Sequence, residues 1–303
     1  MLQLLSRRIV FILVVCLCIA LFIHLGMRMV RNSEIREPNY DLVTQTRLAW
    51  EDTRRYLRGA LQGDLGSIRV GPQTAPISQV LKESYVNSMG LLLVALIAAV
   101  LIGLPLGLLA SAVKRRNLNL IILTVTILGI SAPAFFVSLL LRQGELYYVR
   151  VFGHPLVSIA GFGWDYKHML LPVIVLAARP LAYLTRASFI SMNSVMEEDY
   201  IRTAYAKGLS SGRTVGGHAL PNVAVPILTA IGVSLRFALV ALPVVEFFFV
   251  WPGLGLRMLE AIDARQTAVV VTLALALGLT FLILNLLLDL AYWLVDPRVR
   301  ENT

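Results

Sequence analysis

Long apolar runs alternate with shorter polar connections along most of this chain. A helix needs about 20 predominantly apolar residues to cross the hydrocarbon core of a bilayer. Six runs reach that length and predict six membrane-spanning helices, at residues 9–27, 85–112, 118–141, 169–190, 223–250 and 267–293. An even number of spans places both termini on the same side of the membrane.

Composition supports a membrane-embedded chain. Of the 303 residues, 57% are hydrophobic and 15% are charged, which is more apolar surface than one water-facing globule could bury. We therefore expect an all-α membrane protein with a single transmembrane domain over residues 1–303. The net charge of +9 comes from basic residues between the apolar runs, without interleaved aromatic residues. This pattern favours anionic lipid and acidic protein partners over nucleic acid.

The distribution of basic residues predicts the orientation. They cluster after the second run, after the fourth run and near the C-terminus, as Lys114, Arg115 and Arg116, then Arg202, Lys207 and Arg213, then Arg298 and Arg300. Short positive connections stay in the cytoplasm, so we expect both termini to be cytoplasmic. The first run follows Arg7 and Arg8 but lacks a small-residue cleavage site. It predicts an uncleaved helix rather than a signal peptide.

Residues 28–84 then form an extracytoplasmic loop. The loop carries basic residues, which conflicts with the charge rule, but long loops translocate largely regardless of charge. Apolar residues recur in it at near-helical spacing, namely Leu42, Trp50, Leu57 and Leu61, before a turn at 63–66. They predict a short amphipathic helix. Two roles remain open for it: capping the outer mouth or contacting a partner, or lying against its own membrane domain.

Two kinds of residue inside the spans bear on function. Prolines recur there, at positions 105, 133, 172, 180 and 243, and predict helices bent around a solute path or simply kinked in their packing. Arg179, Arg236, Glu246 and Asp289 are ionisable residues at membrane depth, which are costly unless they face protein or water. Arg179, Arg236 and Glu246 are candidates for a translocation path, with structural cross-links as the alternative, and Asp289 favours a structural role.

The connection at residues 191–222 is longer than a turn between two spans requires. Glu198 and Asp199 favour a helix start there, because acidic side chains stabilise the positive end of the helix dipole. Gly208 is suited to a helix stop, and a second short helix ending at Pro221 follows. Ala204 and Ala206 are small, which lets another surface approach closely. We expect this cytoplasmic segment to dock against a partner.

The same segment resembles the cytoplasmic signature of binding-protein-dependent ABC importer permeases. Arg202-Thr203-Ala204 stands in place of that signature's Glu-Ala-Ala, Gly208 stands at its glycine, His218 at its isoleucine and Leu220-Pro221 at its end, all at the family spacing. The first two residues and the isoleucine depart from the general pattern. The run from Asp199 to Ala204, followed by Ala206-Lys207-Gly208-Leu209, is instead similar to the dipeptide, oligopeptide and nickel branch.

Further motifs of that branch follow in order along nearly the whole chain. They are Gly63-Asp64-Leu65-Gly66, Gly103-Leu104-Pro105-Leu106-Gly107, Ser131-Ala132-Pro133-Ala134-Phe135, Glu246 with Trp251-Pro252-Gly253-Leu254-Gly255, and Asp296-Pro297-Arg298-Val299-Arg300. Each motif is weak alone. Their shared order and spacing make the resemblance specific.

The resemblance implies a type I importer permease fold in the bacterial cytoplasmic membrane. It implies that a coupling helix docks on separate ATPase subunits, through Asp199, Tyr200, Arg202, Thr203, Ala204, Ala206, Lys207, Gly208, Leu209, His218, Leu220 and Pro221. The implied partners are a second related permease, two ATPase subunits that hold ATP and magnesium, a substrate-binding protein and membrane lipid. The expected cargo is a peptide or a similar small solute.

The chain's own chemistry agrees with a transport subunit. It has no G-x-x-x-x-G-K-[ST] phosphate-binding loop, and its four histidines are dispersed without a catalytic motif. We therefore expect no enzyme activity, no bound cofactor and no metal site in this chain. An ion-coupled secondary transporter or a channel is the alternative, because the intramembrane charges could serve ion coupling.

Overall fold

A computed structural model describes residues 2–35, 41–70, 73–112 and 116–295 of the chain. Its helices are α1 (Leu2–Ile35), α2 (Leu42–Leu61), α3 (Ile77–Ala112), α4 (Arg116–Ser131), α5 (Ala134–Phe152), α6 (Tyr166–Met196), α7 (Asp199–Ala206), α8 (Ser211–Thr214), α9 (Leu220–Phe249), α10 (Leu254–Asp263) and α11 (Thr267–Val295). A π-helical turn, Val215–Ala219, joins α8 to α9. Strands β1 (Ser67–Val70) and β2 (Gln73–Pro76) form an antiparallel hairpin that pairs Ser67 with Pro76.

The predicted all-α membrane protein is confirmed. Within the described residues, five helices are long and apolar enough to cross a membrane, and a sixth span exists only if a bent helix pair is counted as one. The five are α1, α3, α6, α9 and α11, and they correspond to five of the six predicted runs. The hairpin was not expected from the sequence. Of the basic residues used to predict the orientation, Lys114, Arg115, Arg298 and Arg300 lie outside the described residues.

The prediction of one helix over 118–141 is wrong. Helix α4 ends at Ser131, α5 begins at Ala134, and the two are bent by 103°. Pro133 lies at the break in an extended conformation, with φ −65° and ψ 140°. A proline donates no backbone hydrogen bond and disfavours helical geometry in the residue before it, so the two helices separate there. Pro105 and Pro180, in contrast, lie inside continuous helices.

The described residues divide into two compact units, and the first comprises those within 1–89 and 251–286. Its core joins the start of α3 to α10 and α11 through Ile77, Leu254, Ala261, Val269, Val270 and Leu273. Trp251 is fully buried, and its indole nitrogen donates to the carbonyl of Asn87 over 3.1 Å. Ser88 accepts from the backbone nitrogen of Leu254 at 2.7 Å. These polar bonds fix the chain that follows α9 against α3.

Helix α2 confirms the predicted helix, and it packs against membrane helices of its own chain. The side chain of Asp41 accepts hydrogen bonds from the Thr44 hydroxyl and from the first-turn nitrogens of Val43 and Thr44. These bonds, the hydroxyl bond foremost, lower the pKa of Asp41. Tyr56 makes a 2.7 Å hydrogen bond with Thr272 of α11. Arg28 of α1 donates its Nε to Asp52 at 2.8 Å. Of the four apolar residues that predicted the helix, Leu57 is half-buried and Leu42, Trp50 and Leu61 are exposed. The buried side of α2 instead carries Gln45, Ala49 and Thr53.

The second unit comprises the described residues within 90–250 and 287–295. Helices α6 and α9 form its most extensive helix contact, and α4 and α5 pack beside them. Helix α3 crosses α6 closely at two glycines. A Cβ atom at Gly103 would lie 2.9 Å from the carbonyl oxygen of Leu181, and one at Gly107 would overlap the Ser188 hydroxyl and the Thr185 carbonyl. Small residues let membrane helices pack at this distance.

The glycine contact predicts a stability loss in Gly107→Ala, because the new methyl group meets backbone that cannot move cheaply. We expect a melting temperature lower by at least about 3 °C for the purified protein in detergent. Gly144→Ala is the matched control, since a Cβ atom at that helical glycine has nothing within 4 Å. If both variants melt at the same temperature, the close approach of α3 and α6 does not exist in solution.

Candidate coupling segment and membrane-depth charges

Residues 199–221, here called the coupling segment, form an ordered structure between two long spans. Helix α7 begins after Glu198 with Asp199 in its first turn, as predicted. Gly208 ends this helical stretch in the left-handed region, at φ +82°, a conformation that favours glycine over other residues. The predicted helix start and glycine stop are therefore confirmed.

The inward side of α7 anchors the segment. Ile201 is only 1% exposed and packs in one apolar cluster with Met192 of α6, Ala219 of the π-helical turn and Val223 of α9. The cluster thus includes residues from α6, the π-helical turn and α9 as well as from α7. Burying an isoleucine side chain contributes about 2 kcal/mol. The coupling segment is thus fastened to the adjoining ends of α6 and α9.

The outward side of α7 presents polar and small residues together with the aromatic side chains of Tyr200 and Tyr205. Asp199 and Arg202 form an exposed pair at 3.4 Å, and Thr203, Ala206 and Lys207 are exposed beside them. The other predicted coupling residues divide into exposed Tyr200, Gly208, His218, Leu220 and Pro221, half-buried Leu209 and buried Ala204. Ala204 and Ala206 were both expected on the approachable surface. Ala204 lies instead on the inward side, and Ala206 faces outward.

The prediction of a second short helix ending at Pro221 is wrong. Helix α8 passes through the π-helical turn directly into α9, which begins at Leu220. Pro221 lies in the first turn of α9. Proline is favoured near the N-terminus of an α-helix. Leu220-Pro221 therefore marks the point at which the π-helical turn gives way to the regular α-helix of α9.

The three charges proposed for a translocation path differ in burial. Glu246 is fully buried within its unit, whereas Arg179 of α6 and Arg236 of α9 are exposed. Asp289 of α11 is half-buried. The structure thus brings the two arginines to the surface of the α6 and α9 pair and keeps the glutamate inside.

Aromatic rings connect the two helices beside these arginines. The guanidinium carbon of Arg179 lies 4.6 Å from the ring centroid of Phe237, the residue that follows Arg236. Tyr183, one turn after Arg179, meets the same ring edge-on, with centroids 5.5 Å apart. A guanidinium over a ring face gains cation–π attraction and keeps its N–H donors available.

Sequence reasoning missed three charged residues that the structure makes prominent. Arg186, half-buried, lies seven residues after Arg179 and therefore on the same side of α6, a spacing that could have revealed it. Arg142 of α5 donates to the carbonyl of Phe248 at 3.0 Å. The buried carboxylate of Glu145 accepts from the backbone nitrogens of Leu156 and Val157. The last two lie beyond the span that the sequence predicted over 118–141.

Comparison with known proteins agrees with these features. Residues 103–301 match the family described as "Binding-protein-dependent transport system inner membrane component". The chain is 33% identical over 247 residues to the "Glutathione transport system permease protein GsiC" of Salmonella paratyphi A, covering 81% of this chain and 78% of that protein. It is 29% identical over 296 residues to the protein of that name from Escherichia coli strain K12, covering 95% and 94%.

The resemblance drawn from the sequence motifs is confirmed by these matches, which cover the coupling segment and both long helices around it. The matched family consists of membrane components of transporters, which carry no catalytic function themselves. The chain therefore belongs to the binding-protein-dependent transport family and is the permease component of an ABC importer in the bacterial inner membrane.

Proposed function

We propose that this permease imports peptides or similar small solutes, and that separate ATPase subunits drive it through the coupling segment. The observation that carries the proposal is the ordered segment 199–221, which has the family's signature spacing and an exposed, polar outer side. The sequence contains no phosphate-binding loop of its own. ATP and magnesium accordingly belong to the partner subunits.

The apolar anchor at Ile201 supports a mechanical role for the segment. A force applied to the outer side of α7 reaches α6 and α9 through the cluster of Met192, Ala219 and Val223. Closely packed interiors transmit such displacements with little compression. Closure of two ATPase subunits would then shift α6 and α9 between inward-open and outward-open arrangements, a rigid-body transition of the kind that drives alternating access.

The solute path in this proposal runs along the exposed side of α6 and α9. An arginine at the bilayer centre costs several kcal/mol when it faces lipid. Arg179 and Arg236 are exposed near the middle of their helices, so this side must face water or another protein. The fully buried Glu246 has a structural role.

The assembly comprises this chain, a second related permease, two ATPase subunits and an extracytoplasmic substrate-binding protein, embedded in lipid. The coupling segment and both termini lie on the cytoplasmic side. Relatives named for glutathione transport favour a short peptide as the cargo. Family membership decides against the alternative of an ion-coupled secondary transporter or channel.

The docking role predicts the effect of Ala206→Trp. A bulky side chain on the exposed side of α7 should prevent the ATPase subunits from binding, because the new ring holds the two surfaces apart. We expect at least about a tenfold loss of ATPase co-purification and of solute uptake, since each 1.4 kcal/mol of lost binding is a factor of ten. The amount of permease in the membrane should not change.

Ala264→Trp is the matched control for that variant. Ala264 is also an exposed alanine, at the end of α10 in the first unit, and its replacement should leave ATPase co-purification intact. Normal co-purification and uptake with Ala206→Trp would refute docking through the outer side of α7.

The buried position of Glu246 predicts a stability effect. Glu246→Ala should leave buried partner groups unsatisfied and lower the free energy of unfolding by about 1–3 kcal/mol. Glu246→Gln, which keeps the size and hydrogen-bonding capacity, should lose less. Thermal melting of the two purified variants measures the difference. Wild-type melting of Glu246→Ala with impaired uptake would instead place this residue on the path.

A further inference from the structure

The ionisable residues of α6 and α9 are mostly arginines at membrane depth. In the middle of these two helices they are Arg179, Arg186 and Arg236, and the single acidic residue of either helix is the buried Glu246. The accessible charge of the pair at this depth is therefore entirely positive. We call Arg179, Arg186 and Arg236 the arginine face.

Helix geometry and one ring contact relate the positions of the three arginines of the arginine face. Arg186 lies seven positions after Arg179, which is about 10 Å along the helix with a rotation of only about 20° between the two side chains. Arg179 reaches across to Phe237 on α9, and Arg236 is the preceding residue there. Arg179 thus contacts α9 at the residue next to Arg236, and Arg186 lies two turns further along the same side of α6. Positive charge therefore accumulates around this helix contact, beside the rings of Tyr183 and Phe237.

The arginine face has unused hydrogen-bonding capacity. Within the described part of the chain, none of its three guanidinium groups takes part in a hydrogen bond or an ion pair. Each group has five N–H donors in a planar fork that matches a carboxylate. Nearby apolar surface lowers the local dielectric constant and strengthens such a pairing relative to water.

We infer that the arginine face is an anion-selecting site that binds carboxylate groups of the solute during translocation. The inference rests on the proposed path and adds the sign of the charge that the path favours. The site admits carboxylates and disfavours cations. A peptide carries a terminal carboxylate whatever its side chains are, so one group of cations serves many sequences. Three separate donor groups offer the carboxylate alternative partners, which keeps binding at each one weak enough for release.

Accessibility of an introduced cysteine tests the inference without knowledge of the solute. Val240 is 73% exposed and lies one turn after Arg236, about 6 Å along α9. Val240→Cys is placed in a chain whose two native cysteines, Cys16 and Cys18, are replaced by serine. The complete transporter in nanodiscs is treated with an anionic sulfonatoethyl or a cationic trimethylammonioethyl methanethiosulfonate. Each rate is divided by the rate of the same reagent with free 2-mercaptoethanol.

We expect the normalised rate of the anionic reagent to exceed that of the cationic one by about tenfold or more, because a cleft of one sign concentrates the opposite ion. The preference should shrink at high salt. Adding Arg179→Gln, Arg186→Gln and Arg236→Gln should bring the ratio close to one. Replacing the same three arginines by lysine keeps the charge and should keep the preference, which separates electrostatics from misfolding.

The contrary outcomes are distinguishable. Equal normalised rates of the anionic and cationic reagents at Val240→Cys, with all three arginines present, would overturn anion selection. That result would leave the proposed path unaffected. A cysteine that reacts with neither reagent, in nucleotide-free and ATP-trapped complexes alike, would show that another subunit covers this side. That result would overturn both the anion site and the proposed path.

Discussion

The apolar cluster around Ile201 is the contact on which the mechanical account depends. A helix of eight residues such as α7 has little stability of its own, and its outer side is polar and exposed. Its position is fixed because Ile201 is buried among Met192, Ala219 and Val223, which belong to α6, the π-helical turn and α9. The same contact that makes the coupling segment rigid also joins it to the two helices that carry the arginine face. The Ile201 cluster therefore connects the exposed outer side of α7 to the helices that carry the arginine face.

The membrane imposes a second constraint, because a charged residue at membrane depth must contact protein or water rather than lipid. Glu145 and Glu246 are buried in their unit, where protein groups surround them. Arg179 and Arg236 are exposed on one side of a tightly packed helix pair, and lipid is a costly neighbour for that side. Helix α3 packs closely on α6 through Gly103 and Gly107. The packing of α6 thus leaves the arginine side as the one that meets water or another subunit.

Much of the fold could be predicted from sequence, because length and apolar content alone specify a membrane-spanning helix. The break at Pro133 could not, since Pro105 and Pro180 stay inside continuous helices, so a proline in an apolar run does not by itself say whether the helix breaks. Within the site, the length of the connection, its helix start and stop residues and the family motif predicted the coupling segment and its glycine stop. These features could not show that Ala204 faces inward or that Glu246 is buried, because both depend on which side of a helix meets its neighbours.

The most direct test of the central claim is a distance measurement between spin labels on Tyr205→Cys of α7 and Asn222→Cys of α9, both exposed positions. The measurement compares nucleotide-free and ATP-trapped complexes of the full transporter, with Cys16 and Cys18 replaced. If the Ile201 cluster moves as one rigid body, this distance should change by less than about 2 Å while α9 itself moves relative to the second permease. A change of several ångströms between the two labels would show that α7 moves independently of α9, and the proposed transmission of force would be wrong.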